Sequence, residues 1–302
     1  MTPSSGMSRS LRADILLLTT AAIWGLAFVA QRVGMDHVGP FLFNGVRFAL
    51  GALALIPLAW RMGDAMKPAP GMSAPAWLGV LCAGAALTLG ASLQQIGLTE
   101  TTAGKAGFIT CLYVILVPIF SLFIGGRTPL GAWIGAVAAV IGMYLLSVTE
   151  DLTINRGDLF ELAGAAFWAC HVLVAAWFAP RMNPLHLAIG QYAVCSVVSL
   201  AVAAASGESF ALEGLRQAAV PILYGGLCSV GVAYTLQIIA QRDANPSHAA
   251  IILSLEAVFA ALAGWALIGE VMNARALAGC ALMLAGMLVS EMWPFVVKRR
   301  ER

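Results

Sequence analysis

The stretch DILLLTTAAIWGLAFVAQRVG (residues 14–34) returns 144 residues later as DLFELAGAAFWACHVLVAAWF (158–178), opening on the same acid and carrying a Trp at the same depth. Each is an almost uninterrupted apolar run. At 1.5 Å of rise per residue, a hydrocarbon core of about 30 Å needs about 20 residues, so each run is long enough to cross a bilayer. The register extends outward from this pair. Adding 144 takes Gly39-Pro40 to Asn183-Pro184, Gly135 to Gly279 and Gly142 to Gly286, and a shift of 143 takes Gln94 to Gln237. A nearly constant offset along the whole chain reads as an internal duplication.

Composition sets the solvent. Of 302 residues 60% are apolar and 11% charged, with a mean hydropathy of +0.87, whereas a soluble domain carries about a quarter charged residues. There is too little charge here to wet a surface of this size, so the fold class is all-α integral membrane. Turn signals divide the chain into apolar runs at 13–31, 40–60, 76–97, 103–124, 130–147, 157–178, 186–205, 217–239, 247–268 and 274–293. These are read as ten transmembrane helices, spans 1 to 10. The first run follows Arg9 and Arg12 in the manner of a signal peptide, but with nine further spans behind it the reading keeps it in place as span 1.

The expected domains are a tail (1–12), a five-helix repeat (13–148), a linker (149–156), a second five-helix repeat (157–293) and a basic tail (294–302). A unit with five spans re-enters the membrane from the other side, so the two repeats are expected to be inverted. Inverted repeats place a binding site near the midplane at their interface and permit alternating access. Connections such as Pro68 to Pro75, Arg127-Thr128-Pro129 and Asn245-Pro246 are short and rich in helix breakers, as in a compact bundle.

Orientation follows the Lys and Arg of the loops. With a cytoplasmic N-terminus, the inside holds Arg9, Arg12, Arg61, Lys67, Arg127, Arg181, Arg242, Lys298, Arg299, Arg300 and Arg302, against Arg32, Lys105, Arg156, Arg216 and Arg275 outside. Both termini are therefore expected in the cytoplasm. Glu150, Asp151, Asp158, Glu208 and Glu213 fall on the outer side.

Several function classes drop out. The net charge of +2 comes with no basic patch for nucleic acid, and the six cysteines lie in apolar runs without a C-x-x-C pair, so neither a disulfide framework nor a zinc site is expected. The four histidines have no metal spacing. No G-x-x-x-x-G-K-[ST] loop is present for ATP, and no H-E-x-x-H or G-x-S-x-G motif supports a hydrolase. The reading is a transporter without cofactor, not an enzyme, with a channel-like or structural membrane protein as the alternative from another class.

Polar groups inside a bilayer are expensive and face the bundle interior or a water-filled cavity. On span 6, Glu161, Gly164, Trp168, His171 and Ala175 share one face; span 1 repeats the pattern with Thr20, Trp24, Ala27 and Gln31. Trp belongs in the interfacial belts, so the central Trp24 and Trp168 either pack between the halves or line a substrate cavity. Asn44 and Arg47 share a face of span 2, and Gln191 and Tyr192 on span 7 fall at the equivalents of Arg47 and Phe48. Arg47 lies about 10 Å below the surface by helix rise, which calls for an ion pair, a carbonyl contact or water. Gln94 and Gln95 on span 3, Tyr113 on span 4, and Tyr234 and Gln237 on span 8 complete the candidate substrate-binding set, with Gln241 following at i+7 from Tyr234. Uncharged amides with aromatics suit a ligand carrying both charges or neither.

His248 and Glu256 lie about 12 Å apart along one broad face of span 9. Glu256 is a candidate carrier of a coupling proton, or else a fixed hydrogen bond joining helices. Spans 5 and 10 carry small-residue stripes, Gly131, Gly135, Ala139 and Gly142 against Ala274, Ala278, Ala281 and Ala285. Such stripes let helices approach closely, so these two spans are expected to brace the bundle, or to form a homodimer contact, away from the route.

The stretch LSLEAVFAALAGWALIGE (253–270), its counterpart LYVILVPIFSLFIGGR (112–127) and GPFLFNGVRFALGAL (39–53) resemble the drug/metabolite transporter (DMT) superfamily in its EamA-type branch, over essentially the whole chain. The closer likeness is to YddG-type exporters of aromatic and other amino acids. The resemblance implies export of small amphipathic metabolites, amino acids foremost, across the inner membrane of a bacterial cell, with a broad-range, proton-coupled drug or metabolite exporter as the alternative. The expected partners are the small-molecule substrate and the lipid bilayer. Ala257 departs from the pattern, since the family often has Pro there, which leaves a kink in span 9 open.

Overall fold

A computed structural model of the chain describes residues 9–62, 71, 73–101, 103–147, 156–268 and 273–300. Lys67, Glu150, Asp151, Glu270, Arg302 and the linker up to residue 155 lie outside the described residues. The described residues are helical, without strands. Eight helices are long and apolar enough to cross a membrane; the expected spans 5 and 10 appear as shorter apolar helices within 130–145 and 277–290.

In chain order the helices are α1 (Arg9–Gly34), α2 (Pro40–Met62), α3 (Ala76–Glu100), α4 (Ala103–Thr110), α5 (Tyr113–Phe123), α6 (Leu130–Ser147), α7 (Arg156–Phe178) and α8 (Pro184–Ala205). There follow α9 (Leu212–Gln217), α10 (Ala219–Leu223), a π-helical segment (Tyr224–Tyr234), α11 (Thr235–Ala240), α12 (Pro246–Leu253), α13 (Glu256–Ile268) and α14 (Ala274–Arg300). The Asn-Pro pairs start helices for a local reason: Asn183 accepts from Leu185 N at 2.9 Å and Asn245 from Ser247 N at 3.0 Å, while the following Pro needs no partner for the first helical position. Gly39-Pro40 solves the same problem at long range. The Glu208 carboxylate accepts from Phe41 N and Leu42 N at 3.1 and 2.7 Å, and a side chain at Gly39 would strike that carboxyl group.

Spans 4 and 9, each read as one run, are broken, which answers the open question of a kink in span 9, and they break alike. Between α4 and α5, Leu112 N bonds to Ile109 O and Val114 N to Cys111 O; between α12 and α13, Leu255 N bonds to Ile252 O and Ala257 N to Ser254 O. These i→i+3 bonds tighten the helix into a turn, and the two sets match at a shift of 143. Span 9 therefore turns at Ser254-Leu255 with Ala, not Pro, at position 257. The breaks also touch: Cys111 Sγ lies 3.7 Å from Ser254 O.

Helices α6 and α14 pack against each other as spans 5 and 10 within the same chain. A Cβ on Gly135 would come 2.7 Å from Gly286 O, and one on Gly142 2.6 Å from Gly279 O. Because Gly135 corresponds to Gly279 and Gly142 to Gly286, the two contacts are the same contact made twice. A twofold relation between the halves produces this exchange. The expected brace is thus intramolecular, and these glycines are already occupied by each other.

Candidate functional site

A cavity opens where the two halves meet, lined by α1, α2, α3, α4, α5, α7, the π-helical segment, α11, α12 and α13. Of the residues expected from sequence, Trp24, Arg47, Gln94, Tyr113, Trp168, His171, Tyr234, Gln237 and Glu256 line it. Its volume is about 40 Å³. A water needs roughly 10–15 Å³ on that measure, so this conformation has room for a few waters and must widen before it admits a metabolite.

Tyr234 is the centre of an aromatic cluster. Its ring centroid is 4.5 Å from that of Trp24, 6.0 Å from Trp168 in a stacked arrangement, and 6.1 Å from His171 edge-on. The two repeats share this geometry, since Trp168 lies over Gly90, 144 residues before Tyr234, and a Cβ there would come 3.1 Å from the indole. Helix α1 is stitched to the π-helical segment by side chains that donate to backbone carbonyls: Thr20 Oγ1 to Ala233 O at 3.1 Å, Trp24 Nε1 to Ser229 O at 3.4 Å and, in reverse, Tyr224 OH to Ile23 O at 2.9 Å. Irregular backbone at membrane depth is tolerated where it is buried in protein or faces a cavity.

The polar walls are asymmetric. On one side Arg47, 2% exposed, donates from Nε to Asn44 Oδ1 at 2.9 Å, and its guanidinium carbon lies 4.9 Å from the Phe48 ring centre. No carboxylate pairs with it among the described residues, so of the settings left open for Arg47 the ion pair drops out, and an amide and aromatic setting takes its place. On another wall Glu256 Oε1 accepts from Tyr113 OH at 3.2 Å and from Cys111 Sγ at 3.4 Å. Tyr113 and Glu256 are 143 apart, so equivalent positions of the two repeats bond to each other across the interface. Trp168 Nε1, His171 Nδ1 and Gln237 Oε1 are buried with no protein partner, and each is in a residue lining the cavity.

Four expected residues stand one layer behind the wall. Asn44 orients Arg47 and donates to Ala91 O at 3.0 Å; Gln191 meets His171 Nε2 at 2.9 Å; Tyr192 OH meets Thr235 Oγ1 at 3.1 Å; Gln95 reaches Gln31 O at 3.5 Å. Span 9 does not present His248 and Glu256 on one face, because the turn at Ser254 redirects it. His248 leaves the cavity and bridges Asp14 Oδ1 and Ser290 Oγ, both at 3.2 Å. Thr110, Ser229 and Cys111 contribute to the site without having been singled out in the sequence. The signal for Cys111 was available, since aligning Leu112-Tyr113 on Leu255-Glu256 places it at the break.

The polar residues of span 8, Tyr234, Gln237 and Gln241, split by depth. Tyr234 and Gln237 line the cavity, whereas Gln241, one turn further, lines a vestibule of about 520 Å³ with Arg127, Trp177, Arg181 and Arg242. Gln241 Nε2 donates to Val172 O at 3.1 Å, and Val172 lines the cavity. A neighbouring recess of about 280 Å³ holds Arg9, Arg12, Arg242 and Asp243.

The sequence profile of the EamA-like transporter family matches residues 11–148 and again 155–292. The chain belongs to the EamA-like transporter family. It is therefore a multi-pass membrane transporter of the DMT superfamily and not an enzyme. It is 30% identical to an uncharacterized transporter of Archaeoglobus fulgidus, over 95% of this chain and 87% of that protein. It is 24% identical to the uncharacterized transporter YoaV of Bacillus subtilis (94% and 97% covered) and 23% identical to the uncharacterized inner membrane transporter YedA of Escherichia coli (83% and 81% covered). A solved crystal structure superposes with a TM-score of 0.77 over 96% of this chain and 99% of that one at 19% identity, which shows a shared fold.

Proposed function

We propose that this EamA-family protein exports amino acids, aromatic ones included, from a bacterial cytoplasm by alternating access. The observation that carries the reading is the cavity between the repeats, whose wall combines Trp24, Trp168 and Tyr234 with the cation of Arg47 and the acid of Glu256. A zwitterion with an apolar or aromatic side chain complements all three kinds of surface. A phosphorylated cargo would call for clustered Arg and Lys, and Arg47 is the one Arg or Lys among the described cavity-lining residues.

The same reading takes ten spans in two inverted repeats, at 13–148 and 157–293, with both termini in the cytoplasm and the protein in the inner membrane. Support for the orientation comes from the gathering of Arg9, Arg12, Arg127, Arg181 and Arg242 around the two recesses at one mouth, as the positive-inside rule requires of a cytoplasmic face. In that frame Gln241 separates the cytoplasmic vestibule from the cavity. Inverted repeats move by rocking one half against the other, here about the contact of the two broken spans.

Proton coupling is a second reading and rests on Glu256, an acid in the cavity wall whose partners Tyr113 and Cys111 are donors and not cations. Purified protein reconstituted into vesicles and offered a panel of amino acids, with and without a pH gradient, tests both. Uptake of at least one amino acid is expected. Transport of none would end the amino-acid reading, and uptake indifferent to the gradient would end the coupled one.

A further inference from the structure

We infer that Arg47 is the seat of the substrate's carboxylate, which makes a free carboxylate a requirement for binding and orients every substrate the same way in the cavity. The inference rests on the amino-acid reading above and adds to it a chemical requirement and a polarity.

The guanidinium is clamped as a preformed receptor. Nε is taken by Asn44 Oδ1, and Asn44 is itself tied to α3 through Ala91 O. The guanidinium carbon lies 4.9 Å from the Phe48 ring centre and 5.5 Å from that of Phe43. Gly225 of the π-helical segment leaves the side chain its space, since a Cβ there would come 3.3 Å from Arg47 Cδ. Of five N–H donors, Nε uses one, and the four on the terminal nitrogens form a planar fork suited to a carboxylate.

Charge accounting points the same way. A buried cation without an anion is unfavourable, and among the described residues no acid is paired with Arg47. Glu256, the acid that lines the cavity, already accepts from Tyr113 and Cys111. A ligand carboxylate at Arg47 would neutralise the site where the protein does not. The position equivalent to Arg47 in the second repeat is Gln191, neutral and engaged by His171 at 2.9 Å. The cation is thus present on one half only. A ligand bound by its carboxylate there has its amine free to approach Glu256, and it cannot bind reversed.

The test compares L-phenylalanine with L-phenylalaninamide and L-leucine with L-leucinamide, binding each to detergent-purified full-length protein by calorimetry. Wild type is expected to favour each acid over its amide by about tenfold or more, the size of a charge-assisted hydrogen bond. Arg47→Gln is expected to bring the acid-to-amide ratio to about one, while Arg47→Lys retains part of it. A wild type that binds acid and amide equally, or an Arg47→Gln protein that keeps the wild-type ratio, would overturn the assignment and leave amino-acid export standing. A wild type that binds neither member of either pair, and transports no amino acid in vesicles, would remove the underlying reading and this inference with it. If Arg47→Gln does not yield monodisperse protein, the Lys variant decides: a ratio unchanged on replacing a bidentate fork with a point charge counts against the assignment.

Discussion

The contact of α6 with α14 and the central cavity are both built from equivalent positions of the two repeats, yet they use the equivalence in opposite ways. In the helix pair the halves keep the same residues, Gly135 with Gly279 and Gly142 with Gly286, and a Cβ on Gly135, Gly142 or Gly286 would come 2.6 to 2.8 Å from a glycine carbonyl of the other helix. In and behind the cavity wall the halves keep the position and change the chemistry: Tyr113 against Glu256, Arg47 against Gln191, Gly90 against Tyr234. Matching residues give matching packing, which holds two halves together. A ligand with distinct ends needs unlike walls, and those arise where the copies differ.

The sharpest way to break this comparison is at the glycines. Gly135→Leu would drive a branched side chain into the backbone of α14, a cost of about 1–3 kcal/mol or more for overpacking, and is expected to abolish monodisperse protein by size-exclusion chromatography. Normal assembly with altered substrate choice would show that the helix pair belongs to the transport route. Next in size, Glu256→Gln keeps an oxygen for Tyr113 and Cys111 to donate to but cannot carry a proton. It is expected to assemble normally and to lose any dependence of vesicle uptake on a pH gradient; a variant that retains the dependence would place coupling elsewhere.

A smaller effect is expected from Trp168→Ala, which removes one stacked face beside Tyr234. At about 0.5–1.5 kcal/mol per aromatic pair, affinity for an aromatic amino acid should fall roughly 2- to 13-fold, with little change for leucine. Equal losses for both would make Trp168 a packing residue. The smallest effect sharpens the boundary of the site: His248→Gln, off the cavity, should lower the melting temperature by a few degrees, as about 1 kcal/mol of lost hydrogen bonding does, without changing substrate affinity.

Much of the site was legible because burial of polar groups in lipid is costly enough to mark them. Trp24, Arg47, Gln94, Trp168, Tyr234 and Gln237 stood out as polar or amphipathic groups at the wrong depth for a lipid-facing surface, and all line the cavity. The same signal did not separate wall from backing. Gln191 and Tyr192 are as conspicuous in sequence as Gln237, but whether an amide faces the cavity or a neighbour depends on helix rotation and on which partner is near. Span 9 shows a different limit. Its apolar run continues through Ser254-Leu255 without Pro or Gly, so periodicity carried Glu256 and His248 along one face; the i→i+3 turn that separates them is held by contact with the matching turn of span 4.

From the sequence alone came the solvent, the duplication and the identity of the groups that cannot face lipid, because hydropathy, spacing and the cost of desolvation are properties of the chain itself. The tertiary structure decided which of those groups meet. Cys111 and Tyr113 reach Glu256 across 145 and 143 residues of chain, Glu208 caps a helix 167 residues away, and Gly135 lies against Gly286. Such meetings depend on how ridges of one helix fit the grooves of another, a relation between surfaces that no single stretch of sequence contains.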